Sequence, residues 1–115
     1  MSTFEEIQAQ RAKYGALTHE VGSTIMGRSI GLFSKKIRAI TMAYDESNNN
    51  FKAIFFYESA LTEAETEAFN DIGALTTADL CFKFNFIDFT IEIAPEGVDL
   101  IPKVQNWGWA FNRLE

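Results

Sequence analysis

Histidine and cysteine occur once each in 115 residues, as His19 and Cys81. One of each cannot assemble a zinc site of the usual nitrogen and sulfur type within a chain, and a lone cysteine cannot close an internal disulfide. Cys81, flanked by Leu80 and Phe82, reads as a small core residue rather than a nucleophile. His19, beside Glu20, reads as a surface or satisfied histidine. No stretch reaches the roughly 18 consecutive apolar residues that span a bilayer. The amino terminus opens Ser2-Thr3-Phe4-Glu5-Glu6, with no basic segment ahead of an apolar run. A reducing cytoplasm is the expected setting, with no cofactor, no metal and no membrane partner.

Basic charge is scarcest between Ala53 and Phe82. That stretch has no lysine or arginine, yet it holds Glu58, Glu63, Glu65, Glu67, Asp71 and Asp79. Over the whole chain the formal charge is −6 and the pI about 4.7. Nucleic-acid affinity rests on lysine and arginine displacing condensed counterions, so no direct DNA or RNA ligand is expected. The same field repels anionic lipid, speeds encounter with a cationic protein and favours solubility.

What is abundant is apolar: hydrophobic residues make up 47% of the chain, with eleven phenylalanines. That content excludes a disordered chain, and the length fits one compact domain of residues 1–115 with a real core. Ser2 and Thr3 precede Glu5 and Glu6 by three residues, the pattern of a capping box, so a helix begins there. Phe4, Ile7, Tyr14, Leu17, Val21 and Ile25 form its apolar stripe, while Gly15, Gly22, Gly27 and Gly31 predict a break or kink. Two β-rich runs follow, 36–44 and 51–57, separated by Asp45-Glu46-Ser47-Asn48-Asn49-Asn50, and together they read as a hairpin. The second run is apolar on both faces, as in a central strand.

Thr62-Glu63-Ala64-Glu65 is a second capping box, and Leu61, Ala64, Ala68, Ile72 and Leu75 mark the apolar stripe of a second helix. Glu63, Glu67 and Asp71, spaced i, i+4, i+8, then share its outer face. Like charges at that spacing cost roughly 0.2–0.5 kcal/mol per pair in an isolated helix. Glu63 is offset by the helix dipole in the first turn, but Asp71 lies two turns in and gains little. A face kept acidic without lysine counterparts suits a basic partner. Farther on, the alternation of Phe82, Phe84 and Phe86 changes phase at Ile87, which predicts a bulge or break before a strand of Ile87, Phe89, Ile91 and Ile93. The last segment, 104–111, carries Trp107 and Trp109 and reads as a short helix or an edge strand that closes the core or faces a partner.

No catalytic constellation stands out. The Asp45–Asn50 run lacks the glycine and terminal glutamate of a calcium loop. Gly27-Arg28-Ser29-Ile30-Gly31 matches neither phosphate-binding glycine pattern, and Asp88 with Glu92 reads as a solvated strand edge. The expected fold is α+β: an N-terminal helix, a β-hairpin, an acidic crossover helix, a third strand and an aromatic C-terminal segment. The sheet has three or four strands, with helices mainly on one face.

In element order, size and charge the chain resembles the small acidic immunity proteins of bacterial polymorphic toxin systems, including contact-dependent growth inhibition. The segments that carry the likeness are Ile37-Arg38-Ala39-Ile40, the run from Phe55 to Glu65, and Trp109-Ala110-Phe111-Asn112-Arg113. The resemblance implies a non-enzymatic protein that binds and blocks one toxin domain in the cytoplasm, often a nuclease. Charge and exposure nominate Glu63, Glu67 and Asp71 as the contact face, with Asp45, Glu46 and Asn49 flanking it and Trp107 or Trp109 as anchors. Two other classes remain open: a small-molecule-binding domain with a phenylalanine-lined cavity, and a homo-oligomeric module, for which a homodimer is the simplest form.

Overall fold

A computed structural model describes residues 3–29 and 35–113, except for the side chains of residues 7, 10–14 and 29. Ser2, Ile30 and Gly31, and the side chains of Ile7 and Tyr14, lie outside the described residues. The fold is α+β, in the order α1 (Phe4–Ser29), β1 (Ile37–Asp45), β2 (Asn50–Tyr57), α2 (Glu63–Leu80), β3 (Phe86–Ile93), a 3-10 turn (Ile101–Lys103) and β4 (Trp109–Asn112). The strands form one mixed sheet in the order β3-β2-β1-β4.

Helix α1 starts at the expected cap, with the Glu6 amide donating to Thr3 Oγ1 at 3.2 Å. It then runs without a break through Gly15, Gly22 and Gly27, correcting the expected interruption. The reason is packing: Val21 and Ile25 are buried against the sheet, and contacts of this kind outweigh about 1 kcal/mol of propensity lost per glycine. The hairpin pairs Asp45 with Asn50 and Ile40 with Phe55. Asn49 takes φ +53°, a left-handed conformation that asparagine tolerates better than most residues. Its amide side chain accepts from the Tyr44 hydroxyl at 2.8 Å and donates to the Lys83 carbonyl at 3.1 Å, tying the turn to the start of β3.

Thr62 caps α2 through a complete capping box: Glu65 N donates to Thr62 Oγ1 at 3.2 Å, and Thr62 N donates to Glu65 Oε1 at 2.8 Å. Thr62→Ala is expected to cost about 1 kcal/mol (0.5–2) of stability, read as a lower urea midpoint at unchanged slope. The buried stripe of α2 is Phe69, Ile72, Thr76 and Leu80, not Ala64 and Leu75, which are exposed. Phe69 is larger than either and wins the core position, meeting Phe55 edge-on at 5.1 Å between ring centres. α2 returns the chain so that β3 lies parallel to β2, from Asn50↔Phe86 to Tyr57↔Ile93. β3 therefore begins at Phe86, one residue before the expected strand, while Phe84 is buried in the approach to it.

Both long helices cover one sheet face. Between them and the strands lies the main core, built from Val21, Ile25, Ile40, Phe51, Phe55, Phe69, Ile72 and Trp107 among others. A smaller cluster on the opposite face joins Ala39, Phe56, Ala94 and Leu100. Arg38, buried at the irregular step of β1, organises that face by donating to the carbonyls of Ala94, Pro95 and Val98 at 3.0, 3.0 and 2.9 Å. Tyr57 is buried at the end of β2. Burial first, and the Glu65 charge second, push its phenol up to about 12. The raised value means the stability it contributes is whole below pH about 10, where an unfolded tyrosine titrates, and is lost between there and about 12. Urea midpoints measured across that range are expected to fall, and Tyr57→Phe to remove that part of the fall.

Candidate partner-binding face

The six carboxylates of the lysine-free stretch divide into two groups. Glu58 accepts from Arg113 Nη2 at 3.1 Å, and Glu65 meets Lys36 Nζ at 2.8 Å. Asp79 takes Arg28 in a two-pronged contact at 2.6 and 2.8 Å, and that guanidinium holds the carboxyl below its usual value. Glu63, Glu67 and Asp71 are exposed and have neither a hydrogen bond nor an ion pair among the described residues. Helix geometry explains the division. Glu65, Ile72 and Asp79 are seven apart and share the side of α2 that turns toward α1 and the start of β1, where the cations are. Glu63, Glu67 and Asp71 lie on the outward stripe, spread over about 12 Å of helix at 1.5 Å per residue.

That stripe does not end at Asp71. Leu75, the next step of four, is 41% exposed, Ala74 and Ala78 beside it are exposed, and Phe82 just past the helix is 79% exposed. The outward face of α2 is therefore acidic over its first half and apolar over its second. Leu75 and Phe82 were missed as candidate contacts. The same i+4 spacing points to Leu75, four residues after Asp71, although its apolar character had placed it on the buried stripe. Phe82 had no comparable signal, because its alternation with Phe84 and Phe86 mimicked a strand. Lys83 lies 5.7 Å from the Phe82 ring centre, within cation–π range, and also bonds Glu20. Cys81 is exposed here too, correcting its assignment to the core.

The other nominated residues do not join this face. Asp45 is exposed, but its carboxylate accepts from Asn48 Nδ2 at 2.7 Å and the Ser47 amide at 3.1 Å, which hold it below the ordinary carboxylate value. Glu46 is exposed beside it, and Asn49 is occupied in the turn. Because Asn49 reaches Lys83, the hairpin tip sits beyond the C-terminal end of α2, far from Glu63. Trp107 is 0% exposed and cannot anchor a partner. Trp109 is half-buried on β4, at the sheet edge opposite β3. It borders an open groove of about 500 Å³ between α1 and β4, lined also by Thr18, His19, Gly22 and Met42. Among the described residues of that lining His19 is the one titratable side chain.

Among the described residues no three His, Cys, Asp or Glu side chains converge as a metal set, and no helix is long and apolar enough to cross a membrane. Compared with protein-family models and with curated proteins, the chain matches none.

Proposed function

We propose that this protein binds a cationic toxin domain, a nuclease in the first instance, and neutralises it in the cytoplasm, in the manner of small acidic immunity proteins. One observation carries the reading: three carboxylates stand exposed on one helix stripe without an ion pair among the described residues, while the other three of the same run each hold a cation of the chain itself. A nuclease site is electropositive because it must grip a phosphate backbone. An acidic stripe can therefore steer encounter, occupy that site and exclude the substrate. The apolar half, Leu75 and Phe82, supplies the desolvated contact that charge alone lacks, since binding energy concentrates in buried anchors. The activity is binding, not catalysis.

The test is direct. A basic nuclease domain found encoded next to this chain is purified, and its activity is titrated with the wild-type chain and with Glu63→Lys/Glu67→Lys/Asp71→Lys. Stoichiometric inhibition by the wild type, weakened by salt and lost in the triple variant, supports the reading. Equal inhibition by both proteins, or none by either, overturns it.

A further inference from the structure

The two edges of the sheet are built differently. β4 is four residues long, and its pairing with β1 is irregular between Ile40 and Thr41. A short, irregular edge is one of the usual ways of discouraging a further strand. β3 is eight residues long and pairs with β2 without a shift, and its sequence contains no proline and no lysine. Just ahead of the strand, Asn85 donates its amide to the Asn49 carbonyl at 2.8 Å. At the far end Ala94 donates inward to the Tyr57 carbonyl at 2.8 Å, and strand alternation back from it turns the amides of Ile87, Phe89, Ile91 and Ile93 outward. On the helix-covered face Phe89 lies under Gly73 of α2, but Ile91 and Ile93 farther along are 37% and 46% exposed. This edge carries none of the devices that blunt the other.

We propose that β3 pairs antiparallel with β3 of a second copy, about a two-fold axis through Phe89 normal to the sheet, giving one continuous sheet across the dimer. Such an axis keeps the helices of both copies on one face, so opposed residues must share a face and the axis must pass through a residue. Centred on Phe89, Ile91 of one copy lies opposite Ile87 of the other, and Asp88 opposite Thr90. Centred on Thr90, Asp88 faces Glu92 twice; centred on Asp88, it faces itself. Like charges directly opposite are destabilising, so of the two axes at the middle of the strand, Phe89 and Thr90, which overlap it most fully, the charge pattern selects Phe89. The occupant is a copy rather than a cationic strand because Glu92 is already matched by Lys103 at 2.8 Å, leaving an edge that is mainly apolar.

This dimer does not rest on the toxin-binding reading, and the two respond oppositely to salt. Two copies at −6 repel each other, so salt strengthens the dimer, whereas it weakens an acidic-to-basic contact. Light scattering on a dilution series is expected to give about twice the chain mass of 13.0 kDa for the wild type. Ile91→Pro removes an outward amide and Ile91→Lys places charge on the exposed edge; both are expected to give the single-chain mass with a wild-type circular dichroism spectrum. A wild-type monomer at every concentration overturns the proposal, as does a dimer that persists in Ile91→Lys. Should Ile91→Pro fail to fold, Ile91→Lys alone decides.

Discussion

Reversing Glu63, Glu67 and Asp71 to lysine together is expected to weaken toxin binding by about 10³-fold or more. Close charge pairs between a cationic enzyme and its acidic inhibitor couple by roughly 1.5–7 kcal/mol, so three at the low end give about 4.5 kcal/mol. Each 1.4 kcal/mol is about tenfold in the dissociation constant. Association is expected to slow as well, because a repulsive face replaces a steering one. The fold should hardly respond: three lysines at i, i+4, i+8 repel as three acids did, and lysine at position 63 in the first turn costs about 0.3–1 kcal/mol against the dipole. Asp79→Asn is the contrasting control. It removes an acid that already belongs to Arg28, and binding is expected to stay near wild type. Calorimetric titration of both variants separates lost recognition from lost charge in general. Equal affinity of the triple variant and the wild type would remove the basis of the proposed function.

Trp107→Ala is expected to lower unfolding stability by about 3–5 kcal/mol, the usual cost of truncating a buried aromatic to alanine. Domains of this size are stable by roughly 5–15 kcal/mol, so the loss takes a large share of the total. The indole is fully buried and stacks on Tyr44 at 4.8 Å, with Phe51 and Phe84 at 5.9 and 6.2 Å. It also fixes the last strand in place. Trp107 N donates to the Met42 carbonyl at 3.1 Å, and Met42 N and Thr41 Oγ1 both donate to the Gly108 carbonyl, at 3.0 and 2.8 Å. Gly108 has φ +76°, open to glycine and strained for other residues, and this turn sends Trp107 into the main core and Trp109 toward the opposite face. Urea denaturation measures the loss, and Trp107→Phe is expected to recover part of it. A loss below about 1 kcal/mol would mean that the ring cluster does not hold β4.

Local chemistry was readable in the chain before any coordinates. Thr62 and Glu65 announced the start of α2 because a capping box needs only four consecutive residues. The polar run from Asp45 to Asn50 marked the hairpin for the same reason. The outward stripe Glu63, Glu67, Asp71 followed from helical spacing alone. Burial was harder to read. Leu75 and Cys81 are apolar, or nearly so, yet sit outside, because the neighbouring Ile72, Thr76 and Leu80 fill the space against the sheet first.

By itself, the sequence determined the types of the two helices and the first three strands, the central hairpin, both helix starts and the grouping of three acids on one helix face, because each depends on residues no more than about two helical turns apart. Only tertiary structure decided which carboxylates meet a cation of the chain. Glu65, Asp79 and Glu58 meet their cations across 29, 51 and 55 residues of chain. It also decided that Trp107 is core and that β3 is left as the long open edge. These outcomes depend on how separate segments come together in three dimensions, and no local pattern carries that information.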